Sequence, residues 1–337
     1  MYTLNTKINN QLSLWLITMF WFISIIIIIG GLTRLTDSGL SITEWELFTG
    51  FIPPLNQNEI LDYFNLYKLT PEYKLQNFSM TIDEFKIIFW WEWAHRFFAR
   101  IIGLCFLIPL IYFTIIIGFE RVKNLYLIFF LICFQGFIGW FMVTSGLTDR
   151  VDVSHFRLSI HLIIAFIILS LVFWNYLKLK YYNNDKRILS NKIPEFFLFL
   201  IFLQIIIGAF VSGMDAGKIY NSWPLMGDSY FPNDNKFSNL FELSVFNDPS
   251  LVQFIHRNLA YFILITYLVL LYLVKKKKIN VLYKPIYFLG FIILLQVILG
   301  IFTVLNNANI VIASFHQISS ILLVSSSIYL LFRNRFN

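Results

Sequence analysis

Leu12-Ser-Leu-Trp-Leu-Ile-Thr-Met-Phe-Trp-Phe-Ile-Ser-Ile-Ile-Ile-Ile-Ile-Gly-Gly-Leu32 runs for 21 residues without a charge. A helix needs about 20 such residues to cross the hydrocarbon of a bilayer. Tyr261 to Val274 has the same character. Over the whole chain 58% of residues are hydrophobic and 13% charged, against roughly 25% charge in an ordinary soluble domain. A water-soluble fold of 337 residues has no way to hide that much apolar surface. The lipid bilayer is therefore the expected solvent. Eight spans are predicted, near 12–32, 88–117, 124–144, 154–177, 194–213, 249–274, 282–305 and 309–332. The first run is too long for a signal-peptide core and lacks a small-residue cleavage site, so it is expected to remain as the first helix.

Orientation follows the basic residues. Fifteen Lys and Arg fall on one side, among them Lys7, Lys186, Arg187 and the run Lys275 to Lys278; seven fall on the other. This predicts both termini in the cytoplasm. The net charge of +7 is spread along membrane edges, which sets nucleic-acid binding aside. Cys105 and Cys133 lie inside spans and read as small packing residues, with no outer-loop pair to suggest a disulfide.

Two polar segments, roughly 33–87 and 214–248, interrupt the apolar pattern on the outer face. Thr81-Ile-Asp-Glu84 has the form of a capping box. Asp248-Pro249 suits a helix cap and first turn. Pro53, Pro54 and Pro71 divide the first segment, leaving room for short helices at the membrane surface.

The chain also repeats itself. His95, Gln135 and Gly139 match His256, Gln296 and Gly300 at an offset of 161. Gly30, Asp37, Gly39 and Trp45 match Gly208, Asp215, Gly217 and Trp223 at an offset of 178. A first outer loop 17 residues longer than the second accounts for the difference. The expected fold is all-α, eight transmembrane helices arranged as two tandem pseudo-symmetric four-helix bundles, residues 1–180 and 181–337, with sites within or between them.

Four of the five histidines fall at one depth, one on each even-numbered span. His161 and His316 each stand seven residues after a helix start, as does His256 after Pro249, or roughly 10 Å along a helix. An imidazole in hydrocarbon must find a partner. Structural zinc favours four N or S ligands around one point; here single histidines lie on four helices. Haem iron takes axial imidazoles from opposite sides, which fits two facing helices per half. His155 is the alternative to His161, since an ungapped match to His316 selects it. Depth selects His161, with six extra residues in the loop Ser145 to Val153 restoring the alignment and His155 left as an exposed edge residue.

The halves differ at one place. Glu92-Trp-Ala-His95 becomes Gln253-Phe-Ile-His256. At this spacing a carboxylate shares a face with its histidine. It can act as a base towards water or stabilise a developing cation; it can also be an ordinary hydrated interfacial carboxylate. Gln253 cannot take a proton, so the first half reads as the reacting one. Arg96, Arg100, Arg157 and Arg257 lie near the outer ends of the even helices. They are candidate contacts for haem propionates, or snorkelling side chains.

The strings Gly30-Gly-Leu-Thr-Arg-Leu-Thr-Asp-Ser-Gly-Leu-Ser41, Trp90-Trp-Glu-Trp-Ala-His-Arg96, Phe156-Arg-Leu-Ser-Ile-His-Leu162, Gln253-Phe-Ile-His-Arg257 and Phe315-His-Gln317 resemble the haem A synthase family, over nearly the whole chain. The resemblance implies oxidation of the C8 methyl of haem O to a formyl group, giving haem A for terminal oxidases. It implies a substrate haem held by His95 and His161 with Glu92 as catalytic residue, and a cofactor haem b whose iron is held by His256 and His316. Implied partners are haem O, the haem O synthase that supplies it and an electron acceptor; homo-oligomers stay open. The chain lacks the outer-loop cysteine pair of some relatives and so resembles the long-first-loop subgroup. Its N-terminus, without an Arg-rich transit peptide, points to a bacterial inner membrane. The competing readings are a di-haem b-type electron-transfer cytochrome and, third, a transporter with a histidine proton relay.

Overall fold

The computed structural model describes residues 6–46, 49–182, 188–190 and 192–336, apart from the side chain of Asp149. Lys186 and Arg187 lie outside the described residues. Ten α-helices are found among the described residues: α1 (Thr6–Leu35), α2 (Gln57–Tyr67), α3 (Pro71–Leu75), α4 (Ile82–Ile117), α5 (Phe119–Asp149), α6 (His155–Tyr181), α7 (Lys192–Gly213), α8 (Pro249–Lys276), α9 (Asn280–Leu305) and α10 (Ile310–Arg335). Eight of them, all but α2 and α3, are long and apolar enough to cross a membrane.

Local chemistry sets the helix starts. Thr81 Oγ1 accepts from the Glu84 amide while the Glu84 carboxylate takes the Thr81 amide at 2.8 Å, so the expected capping box begins α4. Asp248 accepts from Leu251 N at 2.9 Å, with Pro249 in the first turn of α8. In the first long segment Asn56 caps α2, and Thr70 caps α3 with Pro71 following it. Gly118 alone joins α4 to α5 at φ 85°, a left-handed angle that suits a residue without Cβ.

The chain contacts divide into two units, Trp21–Ile168 and Met1–Phe20 with Leu169–Asn337. In the first, α4 starts at its capping box, as that motif predicts, six residues before the apolar span near 88–117. Its first turns are packed: Phe85, Ile88 and Phe89 form a buried cluster with Ile42, Ile60, Phe64 and Tyr67. The first long segment is thus a folded cap, its apolar side chains driven together by burial. In the second unit α7 packs on α8, α8 on α9, α9 on α10 and α10 back on α7, closing a ring of four.

The repeat extends to backbone conformation. Asp37 and Asp215, matched in sequence, both take left-handed φ, 48° and 51°. Aspartate tolerates that region better than most residues. Each ends a membrane helix and turns the chain into its long loop.

Three expectations need correction. The residues added before α6 lengthen a helix rather than a loop, because α5 continues to Asp149. Only 150–154 then connect α5 to α6. This short connection folds inward, burying Val153 (9% exposed), Ser154 (6%) and His155 (8%). His155 is therefore not an exposed edge residue; its ring lies 4.2 Å from that of Phe156. Cys133, expected as a packing residue, is exposed on α5, whereas Cys105 is half-buried.

Candidate haem-binding sites

The histidines meet in pairs. His95 on α4 and His161 on α6 have ring centroids 6.4 Å apart, inclined at 64°. His256 on α8 and His316 on α10 have centroids 6.5 Å apart, inclined at 81°. Two imidazoles bound to one metal from opposite sides, each by a bond of about 2 Å and with ~1 Å from nitrogen to ring centre, lie roughly 6 Å apart. Both pairs meet that distance. Among the described residues no group of three or more His, Cys, Asp or Glu converges as a metal site. Each pair would bring two imidazoles to a haem iron.

Each ring rests in a seat made by glycine on the neighbouring helix. A methyl group at Gly30 on α1 would stand 2.9 Å from Cε1 of His95, and one at Gly139 on α5 3.1 Å from that of His161. In the second unit the distances are 3.1 Å from Gly208 on α7 to His256 and 3.2 Å from Gly300 on α9 to His316. The four Nδ1 atoms are buried, with no hydrogen-bond partner. Against these seats the rings have little room to turn. One helical turn before three of these glycines, a glutamine binds the backbone of the seated histidine. Gln135 Nε2 donates to His161 O at 2.9 Å, Gln296 Nε2 to His316 O at 3.2 Å, and Gln204 Nε2 to His256 O at 3.0 Å. Gln204 Nε2 also lies 3.3 Å from His256 Nε2. Sequence reasoning paired these glycines and two of the glutamines but missed Gln204, whose signal was the shared Gln-x-x-x-Gly spacing.

Glu92 is 3% exposed, so it is not a hydrated interfacial carboxylate. Its Oε1 meets Arg96 Nη2 at 2.6 Å, and its Oε2 accepts from Ser41 Oγ at 2.7 Å and Ile42 N at 2.8 Å. The Ser41 and Ile42 groups come from the polar turn just after α1. Gln253, 2% exposed, donates to Tyr220 O at 3.0 Å. The protonatable position in one unit is thus an amide in the other, with the surrounding frame retained.

Among the arginines, three grip loop backbone. Arg96 donates to Ile42 O and Glu44 O at 2.8 and 2.9 Å. Arg257 donates to Tyr220 O and Ser222 O, both at 2.9 Å. Ile42 with Tyr220 and Glu44 with Ser222 are separated by the same 178 residues as the matched loop motifs. Arg100 donates to Gly50 O at 3.1 Å and Glu46 O at 2.5 Å. Arg157 bonds the Ser145 hydroxyl and lies over the Phe141 ring. These partners were not foreseen, because a carbonyl leaves no mark in a sequence.

Residues 13–328 match the model of a family described as cytochrome oxidase assembly protein (COX15-CtaA). A protein named Heme A synthase from Pelagibacter ubique is 50% identical over 333 residues, covering 96% of this chain and 97% of the relative. Heme A synthase of Rickettsia bellii is 41% identical over 336 residues, covering 95% of this chain and 97% of its own length. That of Flavobacterium psychrophilum is 39% identical over 340 residues, with 97% and 99% covered. With eight apolar helices, two opposed histidine pairs and this similarity along nearly its whole length, the chain belongs to the COX15-CtaA family of cytochrome oxidase assembly proteins.

Proposed function

We propose that the chain is a haem A synthase that oxidises the C8 methyl of haem O to a formyl group, supplying haem A to terminal oxidases. The observation that carries this reading is the His95–His161 pair with a buried Glu92 one helical turn before His95, whose counterpart is Gln253. A di-haem cytochrome has no use for that difference, and the relatives named Heme A synthase favour the synthase.

On this reading the first half, 1–180, holds the substrate, with His95 and His161 as axial ligands to the iron of haem O. His256 and His316 in the second half, 181–337, hold a haem b. When bound, that haem supplies one-electron redox capacity. Converting a methyl to a formyl group with oxygen from one water releases four electrons and four protons. An external acceptor takes the electrons. Loss of two electrons and a C–H proton makes the methyl carbon electrophilic, and water then adds to it while Glu92 accepts the water's proton. A second two-electron, two-proton loss turns the hydroxymethyl group into the formyl group. Arg96 and the amide of Ile42 fix the carboxylate's position, so its approach is set before substrate arrives. Arg96, Arg100, Arg157 and Arg257, at the long-loop ends of the helices, are the candidate partners of the propionates.

The expected setting is a bacterial inner membrane, with both termini cytoplasmic and the haem sites towards the outer face. The test is pigment extraction from cells that express the chain and are supplied with haem O. Appearance of the formyl-bearing haem is the expected result; recovery of unchanged haem O refutes the synthase reading.

A further inference from the structure

Three of the four ligand histidines are clamped by glutamine, and the fourth is not. On α5, α7 and α9 the pattern is Gln135…Gly139, Gln204…Gly208 and Gln296…Gly300. The glycine seats the ring, and the glutamine, four residues earlier and so on the same helix face, binds the ligand's carbonyl. On α1 the seat is kept as Gly30, but the residue four earlier is Ile26. Isoleucine has no donor with which to hold the carbonyl of His95.

We propose that Ile26 makes His95 the yielding ligand, the one that releases when haem O enters and product leaves, and that Gln204 at the matching position holds His256 on a haem that stays. The inference rests on the synthase reading and adds a determinant of exchange to it. A catalytic site must let its product go, whereas a resident cofactor must not leave with it. Both needs are met by one substitution within a repeated frame. A hydrogen bond to a ligand's backbone resists the small helix displacement by which an axial bond opens, and an apolar side chain does not. Ile26 and Gln204 act through the histidines beside them and are positioning residues.

The test uses the purified full chain in lipid nanodiscs, loaded with haem, and an excess of apomyoglobin to capture what is released. Release is followed by the shift in Soret absorbance. The wild type is expected to lose haem in two phases, a fast one from the first site and a slow one from the second. Ile26→Gln should slow the fast phase by about 2- to 10-fold, the range of one net hydrogen bond. Ile26→Leu should leave it unchanged. Gln204→Ile should speed the slow phase by about the same factor. The Ile26→Gln change is a gain in retention, which a misfolded variant cannot imitate. Two clear phases that neither variant moves would overturn this inference while leaving the haem sites standing. A wild-type protein that takes up no haem would overturn the underlying reading instead.

Discussion

The carboxylate of Glu92 and the guanidinium of Arg96 meet at 2.6 Å, one helical turn apart, with side chains only 4% and 9% exposed. In the second unit Gln253 and Arg257 hold the corresponding positions and both donate to Tyr220 O. Replacing Glu92 by Gln keeps the shape of the first site and removes its ability to accept a proton. Glu92→Gln should therefore fold and retain haem at His256 and His316, while formyl formation falls by about 100-fold or more. Haem extraction and Soret absorbance, measured on the same preparation, check both halves of that statement. Undiminished haem A output would remove Glu92 from the chemistry.

Removing the other partner has a different consequence. Arg96→Ala leaves a buried carboxylate without its counter-charge and strips Ile42 O and Glu44 O of a donor. Breaking one side of a buried pair costs about 3–5 kcal/mol. Thermal unfolding in nanodiscs should show that loss, and the double variant with Glu92→Gln should recover part of it. Strict additivity of the two changes would contradict the coupling.

The glycine seats make a steric prediction. A methyl at Gly208 must share space with His256 Cε1 at 3.1 Å, and a larger group has nowhere to go but into the ring. Gly208→Val should displace the imidazole at a cost of about 1–3 kcal/mol and lower the haem retained per protein. Gly217, where the nearest neighbour is Ala308 Cβ at 3.4 Å, provides a control. Gly217→Ala should leave the Soret band intact. The readout is the ratio of Soret to protein absorbance after purification.

Glu72 gives the first loop a pH response. It is 3% exposed on α3, and its Oε2 is buried without a hydrogen-bond partner. Burial, with the charges of Glu92, Asp152 and Asp37 adding to it, raises its pKa from 4.5 to about 8. A folded value above the unfolded one means that the proton is bound more tightly in the folded state. The stability contributed by neutral Glu72 is full below 4.5 and is lost as pH rises through about 8. Protease should therefore cut the first loop faster at high pH than at low pH, after correction for the protease's own profile. Glu72→Gln should flatten that dependence; an unchanged slope would assign it to another group.

Much of this was legible in the sequence because its causes are local. The capping box at Thr81 and the Asp248-Pro249 start depend on side chains within three residues of the amides they bind. The eight spans follow from apolar length, and the histidine pairs from helical arithmetic. What escaped depends on the third dimension. Val143-Thr-Ser-Gly-Leu-Thr-Asp149 has the polarity and the glycine of a loop, yet α5 runs through it. His155 was misjudged as a consequence, since a longer loop would have left it at the surface. The glycines were recognised as a repeated pair, but which ring each one seats depends on helix pairing. Arginine near a membrane surface suggests an anionic partner. The backbone oxygens that Arg96, Arg100 and Arg257 bind have no sequence signature at all.

Because Arg96 and Arg257 hold main-chain oxygens, the side chains of either loop are free to change without releasing the grip. Whatever residue stands at 42, 44, 220 or 222, its carbonyl is still there to be bound. This lets one ancestral cover diverge into two, one enlarged by α2 and α3 and one left short, over an anchorage that tolerates both insertion and drift. The features that differ most between the halves can thus evolve on points of attachment that selection has no need to alter.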